Sequence, residues 1–350
     1  MADLKDILGN ETVKEHFRAA VLQEKISHAY IIEGEKGSGK KMLASAFAKI
    51  LQCEQRGRAA GRQQDEKEGF CEACGTCTSC IQMENGSQPD VIWVSHEKPA
   101  VISVSEIREQ VVNTMDVMPY RGPYKIYIID EAEKMNAAAQ NAILKTIEEP
   151  PGYGVILLLT TNRGAFLPTI LSRCILLTVK PAPDSEIRRY LTEQFRVEKE
   201  TADFCAGFAM GNMGKAIHAA VSEEFLELRQ FALSVLQYIH EAEPFELAAQ
   251  VREMKRWKDT PDDFLDIMLM WFRDVLYIKK MGGSVGSGRL IFQEKYAALQ
   301  KQSGAASFED LNAVFQEIEH TRRRIRANVN YDTSMESLLM GIQSRLRRID

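Results

Sequence analysis

The sequence lacks any apolar run that could cross a membrane, because stretches such as Val155 to Leu159 are far shorter than the roughly 20 residues required. It also lacks a strong charge imbalance: the formal net charge is −5 over 350 residues, which gives no global reason to bind nucleic acid. The N-terminus has no apolar segment of the secretion-signal type. With 45% hydrophobic and 27% charged residues, the chain is not of the disordered class. We therefore expect a cytoplasmic globular protein of two or three domains.

The spacing of the cysteines argues against a disulfide framework. Seven cysteines are present, and four of them fall within ten residues, at Cys71, Cys74, Cys77 and Cys80. An odd total with Cys-x-x-Cys spacing, in a chain without a secretion signal, favours metal ligation over disulfides. Four thiolates suit a closed structural zinc site. An iron–sulfur cluster and unligated thiols are the alternatives to zinc.

Three regions differ in their hydrophobic patterns. Residues 1–176 alternate short apolar runs with helical patterns, which predicts a parallel α/β sheet. The predicted strands are Ala29–Ile32, Val91–Val94, Ile126–Asp130, Val155–Leu159 and Cys174–Thr178. Residues 177–222 indicate short helices, and residues 223–350 show almost only helical periodicity. We therefore expect an α/β domain followed by two helical domains.

A glycine-rich loop follows the first predicted strand and precedes a helical pattern. The glycines Gly34, Gly37 and Gly39, followed by Lys40, have the form of a P-loop, in which backbone N–H groups and the lysine bind phosphates. The next position should be Ser or Thr, whose hydroxyl holds Mg²⁺, but here it is Lys41. An ammonium group cannot ligate a cation and would repel it. The alternative is an unrelated glycine-rich turn.

An acidic pair ends the third predicted strand. Asp130 and Glu131 follow four apolar residues and have the form of a Walker B motif. At the carboxyl edge of a sheet, Asp130 would act on Mg²⁺ and Glu131 would polarise a water molecule. The alternative is a buried strand that ends in a solvated acidic turn.

Further motifs resemble those of the clamp-loader AAA+ family, which includes clamp-loader subunits of bacterial DNA polymerase III and replication factor C. The motifs are Ser27–Tyr30, Cys53, Asn141–Pro151, Thr160–Asn162 and Ser172–Cys174. The resemblance implies a P-loop, RecA-like AAA+ α/β domain at 1–176 with a zinc-binding insertion at about 53–80. It further implies a small helical lid domain at 177–222 and an all-α collar domain for oligomerisation at 223–350.

The same resemblance implies roles for single residues. The altered P-loop resembles that of the δ′ type of subunit, which does not need its own ATP hydrolysis. Arg173 matches an arginine finger that points at the ATP of a neighbouring subunit, although alone it would be taken for a solvated arginine. Asn162 matches a residue that orients water, or is only a structural cap. Lys215 matches a phosphate-sensing position, or is only a solvated lysine.

The resemblance also implies a ligand set for the metal. It uses Cys53 with Cys74, Cys77 and Cys80, whereas the long interval after Cys53 leaves Cys71 as an alternative ligand. The spacing does not decide between the two.

Together these features predict a δ′-type stator of the DNA polymerase III clamp loader. It would assemble with γ/τ-type and δ-type subunits, act through the complex on the sliding clamp and primed DNA, and carry structural Zn²⁺ without a membrane partner. Its own binding of ATP with Mg²⁺ would be weak or absent, and we expect no nucleotidyl transfer. The alternatives are an active motor ATPase of the γ/τ type and a pure interaction module with a vestigial nucleotide site.

Overall fold

The computed structural model describes residues 3–56, 72–282 and 290–347. The chain divides into two compact units. The first unit comprises Met1–Glu186 and Gly211–Gly214, and the second comprises Ile187–Met210 and Lys215–Asp350. No helix among the described residues has the length and apolar character needed to cross a membrane.

The first unit is built on a parallel sheet of five strands within the described residues. The strands are β1 (Ala29–Glu33), β2 (Val91–Trp93), β3 (Lys125–Ile129), β4 (Gly154–Thr160) and β5 (Ile175–Thr178). Their order in the sheet is β2-β3-β4-β1-β5. The predicted parallel α/β sheet is thereby confirmed, and each strand end lies within one residue of its predicted position. The predicted domain boundary at 176/177 falls inside β5, which pairs with β1 through Leu177 and Ile32.

Helices cover the sheet and make up the second unit. Up to residue 186 they are α1 (Glu11–Leu22), α2 (Lys40–Gln52), α3 (Thr78–Glu84), α4 (Val104–Ile107), α5 (Asn113–Met115), α6 (Ala137–Glu148), α7 (Pro168–Leu171) and the start of α8 (Asp184–Phe195). A π-helical turn, Arg108–Val112, joins α4 to α5. The remaining helices are α9 (Lys199–Ala209), α10 (Met213–Val221), α11 (Glu223–Tyr238), α12 (Pro244–Met254), α13 (Pro261–Lys280), α14 (Tyr296–Ala305), α15 (Phe308–Arg326) and α16 (Tyr331–Leu346).

Alternate side chains of each strand enter two separate cores. On one face, Tyr30 of β1 packs with Phe17 of α1 and Phe47 of α2, whose rings stack at 4.1 Å. On the other face, Ile31 of β1 packs with residues of α6, such as Ile143. Burial on both faces explains why the strands are continuous apolar runs. Because all strands are parallel, their carboxyl ends lie along one edge of the sheet, where such folds bind ligands.

The second unit is held together around buried polar side chains as well as apolar ones. Trp271 is fully buried, and its Nε1–H donates to Oε1 of Gln302 at 2.7 Å. The guanidinium of Arg322 bonds to carboxylates of Asp262, at 2.7 Å, and Asp266, at 2.6 Å. These contacts join α13 to α14 and α15.

Candidate nucleotide-binding site and metal centre

The predicted P-loop connects β1 to α2. Gly37 and Gly39 adopt φ values of +84° and +94°, which glycine accepts without strain. Helix α2 then begins at Lys40, whose Nζ donates to the carbonyls of Gly34 and Glu35, both at 2.7 Å. Burial lowers the pKa of Lys40, and nearby carboxylates oppose that shift. The loop therefore has the conformation of an anion-binding turn, with its lysine folded onto its own backbone.

A cleft of about 730 Å³ lies at this helix terminus. It is lined by Lys36, Gly37, Gly39, Lys40, Lys41, Met42, Asp130, Glu131, Glu133 and Leu159–Thr161. Six of the predicted nucleotide-site residues therefore share one cleft. Gly34 is not among these lining residues, but its carbonyl accepts a bond from Nζ of Lys40, which is.

Lys41 and Asp130 form an ion pair across the cleft. Lys41 lies in the first turn of α2 and Asp130 directly follows β3. Their Nζ and Oδ2 atoms are 2.7 Å apart, and the Lys41 side chain is 65% exposed. The sequence indicated that Lys41 would repel a metal ion. It did not reveal that the ammonium would instead bind the carboxylate expected to act on that ion.

The other two acidic residues of the cleft are also engaged. Glu131 adopts φ +49°, and its carboxylate accepts a bond from Lys134 at 2.5 Å, which holds the pKa of Glu131 below its usual range. Glu133, which the sequence analysis did not assign, accepts a bond from the Thr161 hydroxyl at 2.6 Å. Its other oxygen is buried without a partner among the described residues. Thr161 was part of a recognised motif, but nothing in the sequence indicated this contact.

Asn162 acts locally in the structure. Its Oδ1 accepts a bond from the N–H of Gly164 at 2.9 Å and caps the short 3₁₀ turn Arg163–Ala165. It is not among the residues that line the cleft. This geometry is that of the structural-cap alternative, while a role in orienting water stays a prediction.

Asn212 and Gly214 also contact the P-loop, and the sequence analysis did not predict these contacts. Asn212 donates from Nδ2 to the carbonyl of Lys36 at 2.7 Å, and the N–H of Gly214 donates to the carbonyl of Gly37 at 3.1 Å. A Cβ on Gly214 would lie 2.6 Å from that same carbonyl oxygen. In this stretch the sequence analysis singled out only the neighbouring Lys215.

Lys215 belongs to the second unit and is held there. Its ammonium pairs with the carboxylate of Asp266 on α13 and lies 4.2 Å from the centre of the Phe208 ring. It is therefore not a merely solvated lysine. The phosphate-sensing role stays a prediction.

Arg173 lies just beyond the C-terminus of α7. Its Nη2 is 3.0 Å from Oε1 of Glu148 at the end of α6, and its Nη1 donates to the carbonyl of Thr169 at 3.1 Å. The side chain is 40% exposed and that of Glu148 is 43% exposed. The guanidinium is thus ion-paired at the surface, and Arg173 is not among the residues that line the cleft.

Four cysteines converge beside α3. The Sγ atoms of Cys53, Cys74, Cys77 and Cys80 all lie within 4.8 Å of one another, and those of Cys74 and Cys80 are 3.9 Å apart. A tetrahedral ion with bonds of about 2.3 Å would place its sulfurs about 3.8 Å apart, so the cluster fits Zn²⁺. The alternative ligand Cys71 lies outside the described residues.

Backbone N–H groups support this cluster. The N–H groups of Cys74, Cys77 and Cys80 donate to the sulfurs of Cys53, Cys74 and Cys77 respectively. Burial raises the pKa of Cys74, but donors from Thr76 and Cys77 outweigh it and lower that pKa to about 6. Burial raises the pKa of Cys80 above its usual range. Such N–H donors stabilise thiolates, which are the form that ligates metal.

The sequence resembles those of known DNA polymerase III subunits. A family model described as "DNA polymerase III, delta subunit" matches residues 9–183. The chain is 27% identical over 329 residues to DNA polymerase III subunit delta' of Bacillus subtilis, covering 93% of each. It is 28% identical over 344 residues to subunit tau of the same organism, covering 91% of this chain but only 58% of tau.

A solved gamma subunit-related protein from Thermotoga maritima has a TM-score of 0.48 and 18% identity, covering 96% of this chain and 99% of its own. The residues matched by the family model are half of the present chain. From that match, we conclude that the chain belongs to the DNA polymerase III delta-subunit family and is a clamp-loader subunit of DNA polymerase III.

Proposed function

We propose that the chain is the δ′-type stator of the clamp loader, which contributes an arginine to the ATP site of a neighbouring subunit and hydrolyses little or no ATP itself. Its partners would be subunits of the γ/τ and δ types, and the complex would place a sliding clamp on primed DNA. The delta' relative, which matches over 93% of both chains, supports this assignment.

The observation that carries the proposal is the Lys41–Asp130 ion pair. A hydrolytic P-loop site places Mg²⁺ between a Ser or Thr hydroxyl and the Walker B aspartate. Here the hydroxyl is replaced by an ammonium that lies 2.7 Å from Asp130. A site arranged in this way is poorly suited to metal-dependent hydrolysis. Any contribution of this chain to ATP hydrolysis would then be made at the ATP site of another subunit.

Arg173 is suited to such work. Its guanidinium is partly exposed and is held by a single carboxylate from α6 and by local contacts on α7. An exposed ion pair of this kind is worth little, so exchange of Glu148 for a phosphate carries a small energetic cost. A guanidinium placed against the γ-phosphate stabilises the charge that develops during phosphoryl transfer.

The test is to reconstitute the loader with the Arg173→Ala chain and to measure ATP hydrolysis. We expect hydrolysis at the site next to this subunit to fall by about 10³-fold or more, as for other arginine fingers. The total ATPase rate of the loader should fall by the fraction that this one site contributes. Assembly of the complex, measured by gel filtration, should be unchanged.

Arg121→Ala is the matched control. Arg121 is also an exposed arginine of the first unit, and its Nε lies 3.3 Å from Glu54. The control should leave the ATPase of the loader unchanged. Equal rates for the wild-type and Arg173→Ala loaders would refute the finger and favour the interaction module.

We further propose that Cys53, Cys74, Cys77 and Cys80 hold a structural zinc ion. A closed four-thiolate site has no open position for substrate, so its role would be to stabilise the segment around α3. The ion would join the end of α2, where Cys53 lies, to α3, where Cys80 lies.

One feature favours the motor alternative. Asp130 and Glu131 are both present at the end of β3, as a hydrolytic subunit would require. If the chain were a motor, then Lys41 would have to leave Asp130 whenever Mg-ATP binds. Phosphate release by the isolated chain distinguishes the two functions, as described in the Discussion.

A further inference from the structure

The nucleotide cleft does not fit the metal ion that P-loop sites employ. Lysine has three donors and no lone pair in its charged form, so Lys41 cannot ligate a cation. Its ammonium also lies 2.7 Å from Oδ2 of Asp130, which is the carboxylate a magnesium ion would need. A divalent ion would have to displace this ammonium and remain beside it.

The charge of the cleft is balanced without a metal ion. Three carboxylates line it, from Asp130, Glu131 and Glu133. Three lysines line it as well, namely Lys36, Lys40 and Lys41. In a P-loop with Ser or Thr after the lysine, the metal ion offsets part of this negative charge, whereas here the chain does so itself.

Lys41 also retains the capacity to bind an anion. Its ammonium, which carries three N–H donors, is paired with the carboxylate of Asp130, and its side chain is 65% exposed. Lys40, two of whose donors reach the carbonyls of Gly34 and Glu35, has a third donor for a ligand. The two lysines therefore present several charge-assisted donors next to the first turn of α2, where backbone N–H groups favour phosphate.

We propose that this cleft binds a nucleoside diphosphate or triphosphate without a divalent metal ion, because the ammonium of Lys41 supplies the positive charge in its place. The inference rests on the nucleotide site of the proposed function. Nucleotide bound in this way would not be hydrolysed efficiently, because no metal ion polarises its terminal phosphate.

The experiment is a titration of the purified full-length chain with fluorescent ADP and ATP analogues, first in excess EDTA and then in excess Mg²⁺. We expect wild-type affinity to be the same in both conditions, within about twofold. For Lys41→Thr, which restores a hydroxyl, we expect affinity in EDTA to fall by about tenfold or more, the loss of one charge-assisted contact. Addition of Mg²⁺ should then restore it.

Lys36→Thr is the matched control. It makes the same substitution and removes the same charge from the same cleft, and it keeps the backbone carbonyl of Lys36 that accepts the bond from Asn212. This control should bind more weakly by a similar factor in both conditions and should not acquire a response to Mg²⁺. Thermal melting of each variant checks that it is folded.

Two results would overturn the proposal. One is the absence of wild-type binding in EDTA, whether or not Mg²⁺ restores it. The other is a nucleotide affinity of Lys41→Thr that, like that of the wild type, does not change when Mg²⁺ is added. Neither result bears on Arg173, whose contribution is measured at a different subunit's site, so the stator function would be judged separately.

Discussion

Two lysines of the first unit are paired with carboxylates that are far away in the sequence. Lys41 is ion-paired with Asp130, and Lys49, which is almost fully buried, bonds to Asp3 and Glu84. The sequence predicted the chemical consequence of Lys41, namely its conflict with a metal ion. It could not predict the partner, because that contact depends on how the sheet places β3 beside the start of α2.

Replacing Lys49 with Met should destabilise the first unit by about 2 kcal/mol, because a hydrogen-bonded charged group is removed from its two carboxylate partners. Lys49 Nζ bonds to Asp3 at 2.9 Å and to Glu84 at 3.0 Å. Urea unfolding at neutral pH measures the change. Lys5→Met, at an exposed position, is the control and should stay within about 0.5 kcal/mol of the wild type; equal midpoints for the two variants would contradict the prediction.

The loss of unfolding free energy in Lys49→Met should also depend on pH. Burial lowers the pKa of Lys49, but the bonds to Asp3 and Glu84 outweigh it and raise that pKa above its ordinary value of 10.5. A group whose pKa is raised on folding stabilises the fold fully below the unfolded-state pKa and loses this effect as the pH rises through the folded-state value. The difference between wild type and variant should therefore be constant from pH 7 to 9 and shrink above about pH 10.5.

At the scale of elements, the sheet was predictable and the supports of its loops were not. The five strands are runs of apolar, often β-branched residues between polar segments, which is a local pattern. The contact of Asn212 with Lys36 joins residues 176 positions apart, and no local pattern encodes it. The family resemblance assigned a role to Lys215, whereas the nearby residues Asn212 and Gly214 are the ones that contact the P-loop.

Gly214→Ala should distort the P-loop. The added Cβ would lie 2.6 Å from the carbonyl oxygen of Gly37, which is backbone and cannot simply rotate away. We expect a loss of about 1–3 kcal/mol in stability, the usual cost of overpacking, together with weaker nucleotide binding. Thermal unfolding and the fluorescent-nucleotide titration measure these two effects.

Gly152→Ala is the control for this prediction. A Cβ at Gly152 would meet nothing within 4 Å, so stability and binding should be unchanged. If Gly214→Ala behaved like this control, then the Gly211–Gly214 turn would not be a support of the P-loop.

The cysteine cluster should hold one zinc ion per chain, measured by elemental mass spectrometry. We expect Cys53→Ser and Cys80→Ser to lose the ion, because four thiolates complete a structural site. Cys71→Ser and the control Cys205→Ser should keep it, since Cys205 is buried in the second unit. Retention in Cys53→Ser with loss in Cys71→Ser would establish the alternative ligand set, and iron with a visible absorption band would establish an iron–sulfur cluster.

At the scale of the whole molecule, the family could be recognised from ordered motifs, but the division into domains could not be read as easily. The sequence predicts boundaries at 176/177 and 222/223, and the three-domain division stays a prediction. Contacts divide the chain differently, into two units, with residues 187–210 and 215–350 together. Hydrophobic periodicity marks where helices occur, but it does not say which helices share a core.

The isolated chain should release no measurable phosphate from ATP in the presence of Mg²⁺. Lys41 is ion-paired with Asp130, and under the proposed function the arginine that stabilises the transferring phosphoryl group comes from a neighbouring subunit. A coupled phosphate assay measures this, with an Asp130→Asn preparation as the background. Wild-type turnover above that background would mean that Lys41 tolerates catalysis and that the chain is a motor.

Residues Gly211–Gly214 belong to the first unit, although the residues before and after them in the sequence belong to the second. The polypeptide enters the first unit again for only these four residues, between two stretches of the second. A fragment that ends at residue 186 would therefore contain every residue of the P-loop motif. It would lack the four-residue segment that bonds to the carbonyls of Lys36 and Gly37. The shortest stretch of sequence that includes the motif is thus not the smallest piece of protein that includes the site.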